Sequence, residues 1–341
     1  MKQTVLFVAA VSMVGFWGCQ KAQFDLEGAA LLVVNGGSHS LSVIDLDDYS
    51  LRDVLVLPEE ARFPHHVYLS PDKERFAVSI TDTDLSAGHV HGSSPGKNYR
   101  VMVFDARNGK RVETIEVEGM AHNAVFSPDG TELWFGESAS SESKVHVYDT
   151  KRFKEQHVIT VGAGLSEVTF SADGSRVYAA NTIGNTLSII DPATKAVVKT
   201  LAVGNAPVGA WPASNGRMYV DNEESYSLTE VDVLGDSVLS TISLGSKPGY
   251  AAYHAGNDQV WATAATLGQV LVYSQQGGVW GNPVIIATGK DAHAIAFSPD
   301  GSLAFVSNQG NGTVSVIDTQ TLVKLQDIAV ELMPNGLVIL D

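Results

Sequence analysis

Phe297-Ser-Pro-Asp-Gly-Ser-Leu-Ala-Phe-Val-Ser-Asn308 and, five residues on, Thr313-Val-Ser-Val-Ile-Asp318 follow an order of residue types that returns along the whole chain. Phe170-Ser-Ala-Asp-Gly174, Val177-Tyr-Ala-Ala-Asn181 and Leu187-Ser-Ile-Ile-Asp191 form a second copy, and Phe126-Ser-Pro-Asp-Gly130 begins a third. Weaker copies start at Leu69, Trp211 and Tyr253, and Phe24 starts one more. Anchors at Phe24, Leu69, Phe126, Phe170, Trp211, Tyr253 and Phe297, with Ile339 closing the series, are spaced 45, 57, 44, 41, 42, 44 and 42 residues apart.

Each interval reads as four strands. An apolar strand ends at the anchor and a Ser-Pro-Asp-Gly turn follows, with Pro and Gly where a tight turn accepts them. Two alternating strands come next, the second ending in Asp, and then a last strand such as Val197-Val-Lys-Thr-Leu-Ala-Val203. Alternation at period two marks strands with two distinct faces. A lone unit would leave an apolar face in water, and radial stacking of seven such units buries it. The expected fold is therefore all-β, a seven-bladed β-propeller over residues 24–341. Met333-Pro-Asn-Gly-Leu-Val-Ile-Leu340 reads as an innermost strand after which the chain stops, and Leu31-Leu-Val-Val-Asn35 reads as the strand that should follow one. The C-terminal strand is thus expected to complete the first blade and close the ring.

Val177-Tyr-Ala-Ala-Asn181 and Ala304-Phe-Val-Ser-Asn308 resemble the tyrosine-valine-threonine-asparagine (YVTN) propeller repeat of surface-layer, periplasmic and lactonase-type propellers. The resemblance covers nearly all of the chain after its first residues. It implies a fold and leaves the activity open, because propellers host many functions.

Residues 1–18 read as an export signal: Met1-Lys2 is a short positive start, and Thr4 to Gly18 is almost wholly apolar, without a charge, and too short for a good membrane span. Phe16-Trp17-Gly18-Cys19 resembles a bacterial lipobox, which implies cleavage before Cys19, lipidation of its thiol and a short tether over 19–23. An ordinary secretory signal with a chance cysteine is the alternative. Gln20 after the cysteine favours the outer membrane under enterobacterial sorting rules. Cys19 is the one cysteine of the chain, so no intramolecular disulfide and no cysteine metal site can form. The formal charge is −16. Loss of Lys2 with the leader takes it to −17, a surface that repels phosphate backbones and excludes nucleic acid as a partner.

The ten histidines are distributed unevenly. In a propeller, the loops that lead into each innermost strand lie on one face, called upper here, with the loops joining second and third strands. The Ser-Pro-Asp-Gly turns lie on the other. Four residues before each anchor, beside the channel mouth, stand His65, His122, Ser166, Pro207, Gly249, His293 and Asn335. His66 adjoins His65, and His39 falls in the upper loop of the first blade. The long 57-residue interval carries an insertion from Asp82 to Lys97 that contains His89 and His91.

Imidazole is a common ligand of zinc and copper. His65, His89, His91, His122 and His293 are therefore the candidate metal ligands, with His66, His39 and Glu167 as additional ligands or as groups that orient them. Packing and channel hydrogen bonds are the plainer role for Pro64-His65, Ala121-His122 and Ala292-His293, and a solvated loop is the plainer reading of the insertion. Met120 and Met333 flank the same positions and read as packing. Asp45, Asp105, Asp149, Asp191, Asp232 and Asp318 recur at strand ends and read as turn formers. P-loop, G-x-S-x-G, His-Glu-x-x-His and haem-attachment Cys-x-x-Cys-His motifs are absent from the sequence.

The leading expectation is a membrane-anchored envelope propeller that binds Zn or Cu. In outline it is similar to the periplasmic zinc-chaperone propellers, and a sequestering or delivering role is more in keeping with the residues than an enzymatic one. A lactonase-type or haem-handling propeller is the first alternative. A scaffold for another envelope protein, without metal, is the second.

Overall fold

The computed structural model describes residues 26, 28–85 and 97–341. The leader, Cys19, Phe24 and the insertion histidines His89 and His91 lie outside the described residues. The described chain folds into seven antiparallel sheets in ring order, each built on the four-strand unit read from the sequence. The first blade takes its innermost strand, Pro334–Leu340, from the C-terminus, followed outward by Ala30–Asn35, Ser40–Asp45 and Leu51–Val56. Ile339 lies opposite Leu31, as Phe297 lies opposite Ala304 in the seventh blade. The sixth blade adds Val279–Trp280 to the far end of Gln269–Gln276. Among the described residues no helix is long and apolar enough to cross a membrane.

The repeat signature has a hydrogen-bonding reason. The asparagine that ends each well-formed second strand donates through Nδ2 to two hydroxyls of the third strand: Asn35 to Ser40 and Ser42, Asn181 to Thr186 and Ser188, Asn308 to Thr313 and Ser315, all at 2.9–3.1 Å. These amides are fully buried at the upper end of each hairpin, where an unpaired polar group would be costly. The strand-end aspartates are turn formers as expected. Oδ1 of Asp45, Asp105, Asp149, Asp191 and Asp318 accepts the N–H two residues on, and Asp232 accepts from Gly235.

In the Ser-Pro-Asp-Gly turn of the seventh blade, Ser298 Oγ donates to Asp300 at 2.6 Å. The Ser298 hydroxyl, then the Ser302 N–H and hydroxyl, hold the Asp300 carboxyl down at about 2. Ser70, Ser127 and Ser171 lower Asp72, Asp129 and Asp173 in the same way. A carboxyl depressed in the folded state adds stability above the ~3.9 of a free aspartate and loses it as pH falls through its folded value. The melting midpoint is therefore expected to drop between pH ~4 and ~2, and to drop less steeply in Asp300→Asn. Melting curves across that range check it, and an unchanged slope would count against the turn as the source.

Between blades the strand faces interlock. Leu32, Val34, Leu41 and Val43 of the first blade pack on Phe76, Val78, Met102 and Phe104 of the second, where the two phenyl rings stack at 5.1 Å. The innermost strands are left facing a narrow central channel.

Candidate functional site

The innermost strands share a bulge at their upper ends. Pro64 lies opposite Ile80 and Val67 opposite Val78, so His65 and His66 together stand against one residue, Ser79. The same irregularity falls at Ser166-Glu167, Val208-Gly209, Gly249-Tyr250 and His293-Ala294. A bulge breaks the strict alternation of faces. This is how two consecutive residues, His65 and His66, both reach one buried cluster.

In the second, sixth and seventh blades a hydroxyl on the second strand stands at the bulge. Ser79 Oγ accepts from His66 N at 3.2 Å and donates to the His122 carbonyl of the next blade. Thr263 Oγ1 donates to the His293 carbonyl at 2.8 Å. Ser307 Oγ accepts from Ala294 N at 3.0 Å and donates to the Asn335 carbonyl at 2.7 Å. These hydroxyls hold the backbone at the histidines and tie neighbouring blades together.

The cluster centres on His65. Its ring lies 4.5 Å from that of His66, 5.5 Å from His122 and 5.6 Å from His293, and His66 stacks on His293 at 5.8 Å. Glu167 crosses from the fourth blade to bring Oε1 within 3.2 Å of His66 Nε2. Exposure is 2% for His65, 4% for His66, 0% for His122, 7% for His293 and 1% for Glu167. So many ionisable groups buried together need partners. The donor atoms of His65, His66 and His293 lie within 4.8 Å of one another, and so do those of His65, His122 and Glu167. A tetrahedral ion with bonds of 2.0–2.1 Å needs donors roughly 3.3 Å apart, so small side-chain rotations would complete either set.

Of the histidines expected at the mouth, His65, His66, His122 and His293 come together, with Glu167. His39 does not join them and stands edge-on to Phe63 at 5.5 Å. The Asp82 carboxylate pins the neck of the insertion by accepting from Asn98 N at 3.0 Å, and the Lys97 ammonium donates to the Asp82 carbonyl at 2.5 Å.

One assignment is corrected. Trp211 is not the anchor of the fifth blade. Pro212 pairs with Met218, so the repeat there starts one residue later, and Val208 rather than Pro207 is the equivalent of His65. A one-residue shift turns every side chain to the other face, and Trp211 consequently enters the channel. Its ring lies 3.7 Å from Tyr250 and 6.4 Å from His66. Its indole N–H donates to Asp221 at 2.7 Å, and Gly209 N donates to the same oxygen at 2.9 Å. Asp221 thus occupies the place of Ser79 and Ser307. Gly209 leaves the room for the indole, since a Cβ there would stand 2.2 Å from the ring. The aromatic floor of Trp211, Tyr250 and Tyr68 escaped the sequence reading. The signal that would have shown it is Met218-Tyr-Val-Asp-Asn222, which aligns with Val177-Tyr-Ala-Ala-Asn181 only in the shifted register. Burial raises both phenols, helped at Tyr68 by the neighbouring Tyr250 and Glu167, and at Tyr250 by the charges of Glu167 and Asp221.

Residues 94–216, less than half of the chain, match the Cytochrome D1 heme domain family. No curated protein sequence matches. Among solved structures the chain is similar to the periplasmic gluconolactonase PpgL of Pseudomonas aeruginosa, with 17% identity, a TM-score of 0.74, and 92% of this chain and 99% of that one covered. It is also similar to the Kuenenia stuttgartiensis hydrazine synthase, with 18% identity, a TM-score of 0.66, and 80% and 88% covered. A third is the dihydro-heme d1 dehydrogenase NirN in complex with DHE, with 16% identity, a TM-score of 0.65, and 93% and 76% covered. At these identities the likeness is one of fold, and the fold shared by all of them and by this chain is the β-propeller.

Proposed function

We propose that the upper end of the channel is a transition-metal centre, for Zn or Cu, built on His65 with His66, His122, His293 and Glu167. The observation that carries this reading is the convergence of five donors, each more than nine-tenths buried, from four blades around one imidazole. Neutral imidazoles are suited to Zn and Cu, and Glu167 supplies a negative charge that offsets part of the ion's own. His89 and His91 are proposed as further ligands from the insertion, whose neck is held at Asp82. The protein is proposed to act in the bacterial envelope, tethered by a lipid on Cys19. The periplasmic location named for the gluconolactonase of the same fold is in keeping with that. A role in delivering metal to a partner finds no support among the relatives and is not proposed.

Haem handling is the second reading, favoured by the match of residues 94–216, a segment that holds His122, Glu167 and Trp211. The name of the NirN structure points the same way. A macrocycle has no room between rings already 4.5–5.8 Å apart. One of the clustered imidazoles would hold its iron.

Elemental analysis of the purified protein, with Zn and Cu titrations and a parallel haem titration, separates the two. Retained Zn or Cu with submicromolar affinity supports the ion. A haem absorption band that shifts in His122→Ala, without Zn or Cu, transfers the reading to haem. If neither binds, the histidines are packing, and the scaffold reading takes over.

A further inference from the structure

We infer that the mouth of the channel takes two metal ions, with the His65 imidazole as the bridge between them. The inference rests on the metal-centre reading and adds to it a stoichiometry and a role for one residue. Among the described residues the five donors do not gather into one set of four. They divide into two sets of three, His65-His66-His293 and His65-His122-Glu167, and His65 is the member common to both.

The ring geometry fits a hub. His65 lies within 5.6 Å of each of the other three imidazoles. His122 meets it edge-on at 87°, whereas His293 is inclined at 45°. The two outer histidines also come from opposite directions around the ring. His122 belongs to the third blade, next to that of His65, and His293 belongs to the seventh, on the far side of the first. The two nitrogens of an imidazole point away from each other, so one ring can face both sets at once. Two metal–nitrogen bonds and the width of the ring would put the ions roughly 6 Å apart.

The step balances simply. When the first ion binds one ring nitrogen of His65, the ring keeps a single N–H on the other. Binding of the second ion forms a metal–nitrogen bond there and breaks that N–H bond, and the proton goes to solvent, as metal ligation commonly requires. The ring becomes an imidazolate. Its negative charge joins that of Glu167, and the two offset half of the charge of a divalent pair. Asp221, which accepts from the Trp211 indole, adds a second buried carboxylate. The ions this set would take are divalent and imidazole-seeking, Zn(II) and Cu(II).

The test titrates the metal-free protein with Zn(II) and, separately, with Cu(II), counting bound equivalents and recording the electron paramagnetic resonance spectrum at each step. Two equivalents are expected, with a half-field signal of a coupled Cu(II) pair appearing only with the second. His122→Gln and His293→Gln, each close to the volume of the native ring, are expected to keep one equivalent and lose the half-field signal. His65→Gln is expected to keep none. A single equivalent in the wild type, lost in both outer variants, would overturn the bridge and leave one ion shared by the cluster. Two equivalents unchanged in His65→Gln would also overturn it. No bound equivalents at all would remove the metal-centre reading itself, a result distinct from either.

Discussion

Removal of residues 334–341 is expected to leave a chain that does not reach the folded ring. The strand Pro334–Leu340 is paired along its length with Ala30–Asn35, from Ala30 opposite Leu340 to Val33 opposite Leu337. Leu337 and Ile339 pack against Leu31, Val33, Ile44 and Phe305, while Val338 and Leu340 join the interface of the first and second blades. Leu340 is buried and Leu337, Val338 and Ile339 are partly buried, so at ~1.5–3 kcal/mol for each full burial the four contribute at most roughly 6–12 kcal/mol, against a typical net stability of about 5–15 kcal/mol. The truncation also exposes a freshly unpaired strand edge, a template for aggregation. The expected observation is insoluble protein, or soluble protein without a cooperative melt. A truncated chain that melts within a few degrees of the full one would show that the ring does not depend on this strand.

The second large effect is expected at His65. It belongs to both donor sets, so His65→Ala should lower Zn and Cu affinity by at least about a hundredfold, since each set is left with two donors where a tight site needs three or four. Titration calorimetry measures this. Ser79, which holds the local backbone through His66 N and the His122 carbonyl, is untouched by the change. The variant should therefore keep the circular dichroism spectrum and cooperative melt of the wild type in chelator. Affinity within threefold of wild type would mean that the imidazole at this position is packing alone.

The ring itself was legible because a blade is a local repeat. Its strands, turns and spacing are written in neighbouring residues, and closure followed from a lone inner-strand pattern at one end and its absence at the other. The gathering of His65, His122 and His293 was legible for the same reason, since equivalent positions in a ring face a common axis. His66 and Glu167 read only as secondary candidates, as the sequence neighbours of His65 and Ser166, and strict period-two alternation would turn them to the other face. The bulge that brings them in is a backbone feature, held at His66 by the Ser79 hydroxyl and blurred in the sequence. Trp211 was misplaced because an aromatic residue looks like the Phe anchors of other blades, and one residue of slip there is invisible until the pairing of Pro212 with Met218 is known. His39 was grouped with the mouth by its loop alone, and nothing in a loop's position says how far its side chain reaches.

The closing strand has a bearing on when the site can exist. Asn335, whose carbonyl is held by Ser307, also donates its amide to the Pro64 carbonyl at 3.4 Å, and Gly336 lies so close to His66 that a Cβ would come within 2.6 Å of its ring. The last residues of the chain are thus wedged between the blade that carries His293 and the blade that carries His65 and His66. A polypeptide emerging from its N-terminus has three of these histidines long before it has the spacer that sets their distance from the fourth. Until that strand docks, His293 has no fixed separation from His65 and His66 to offer an ion. Capture of an ion by His65, His66 and His293 would then follow docking of this strand, and a bound ion would mark a closed ring.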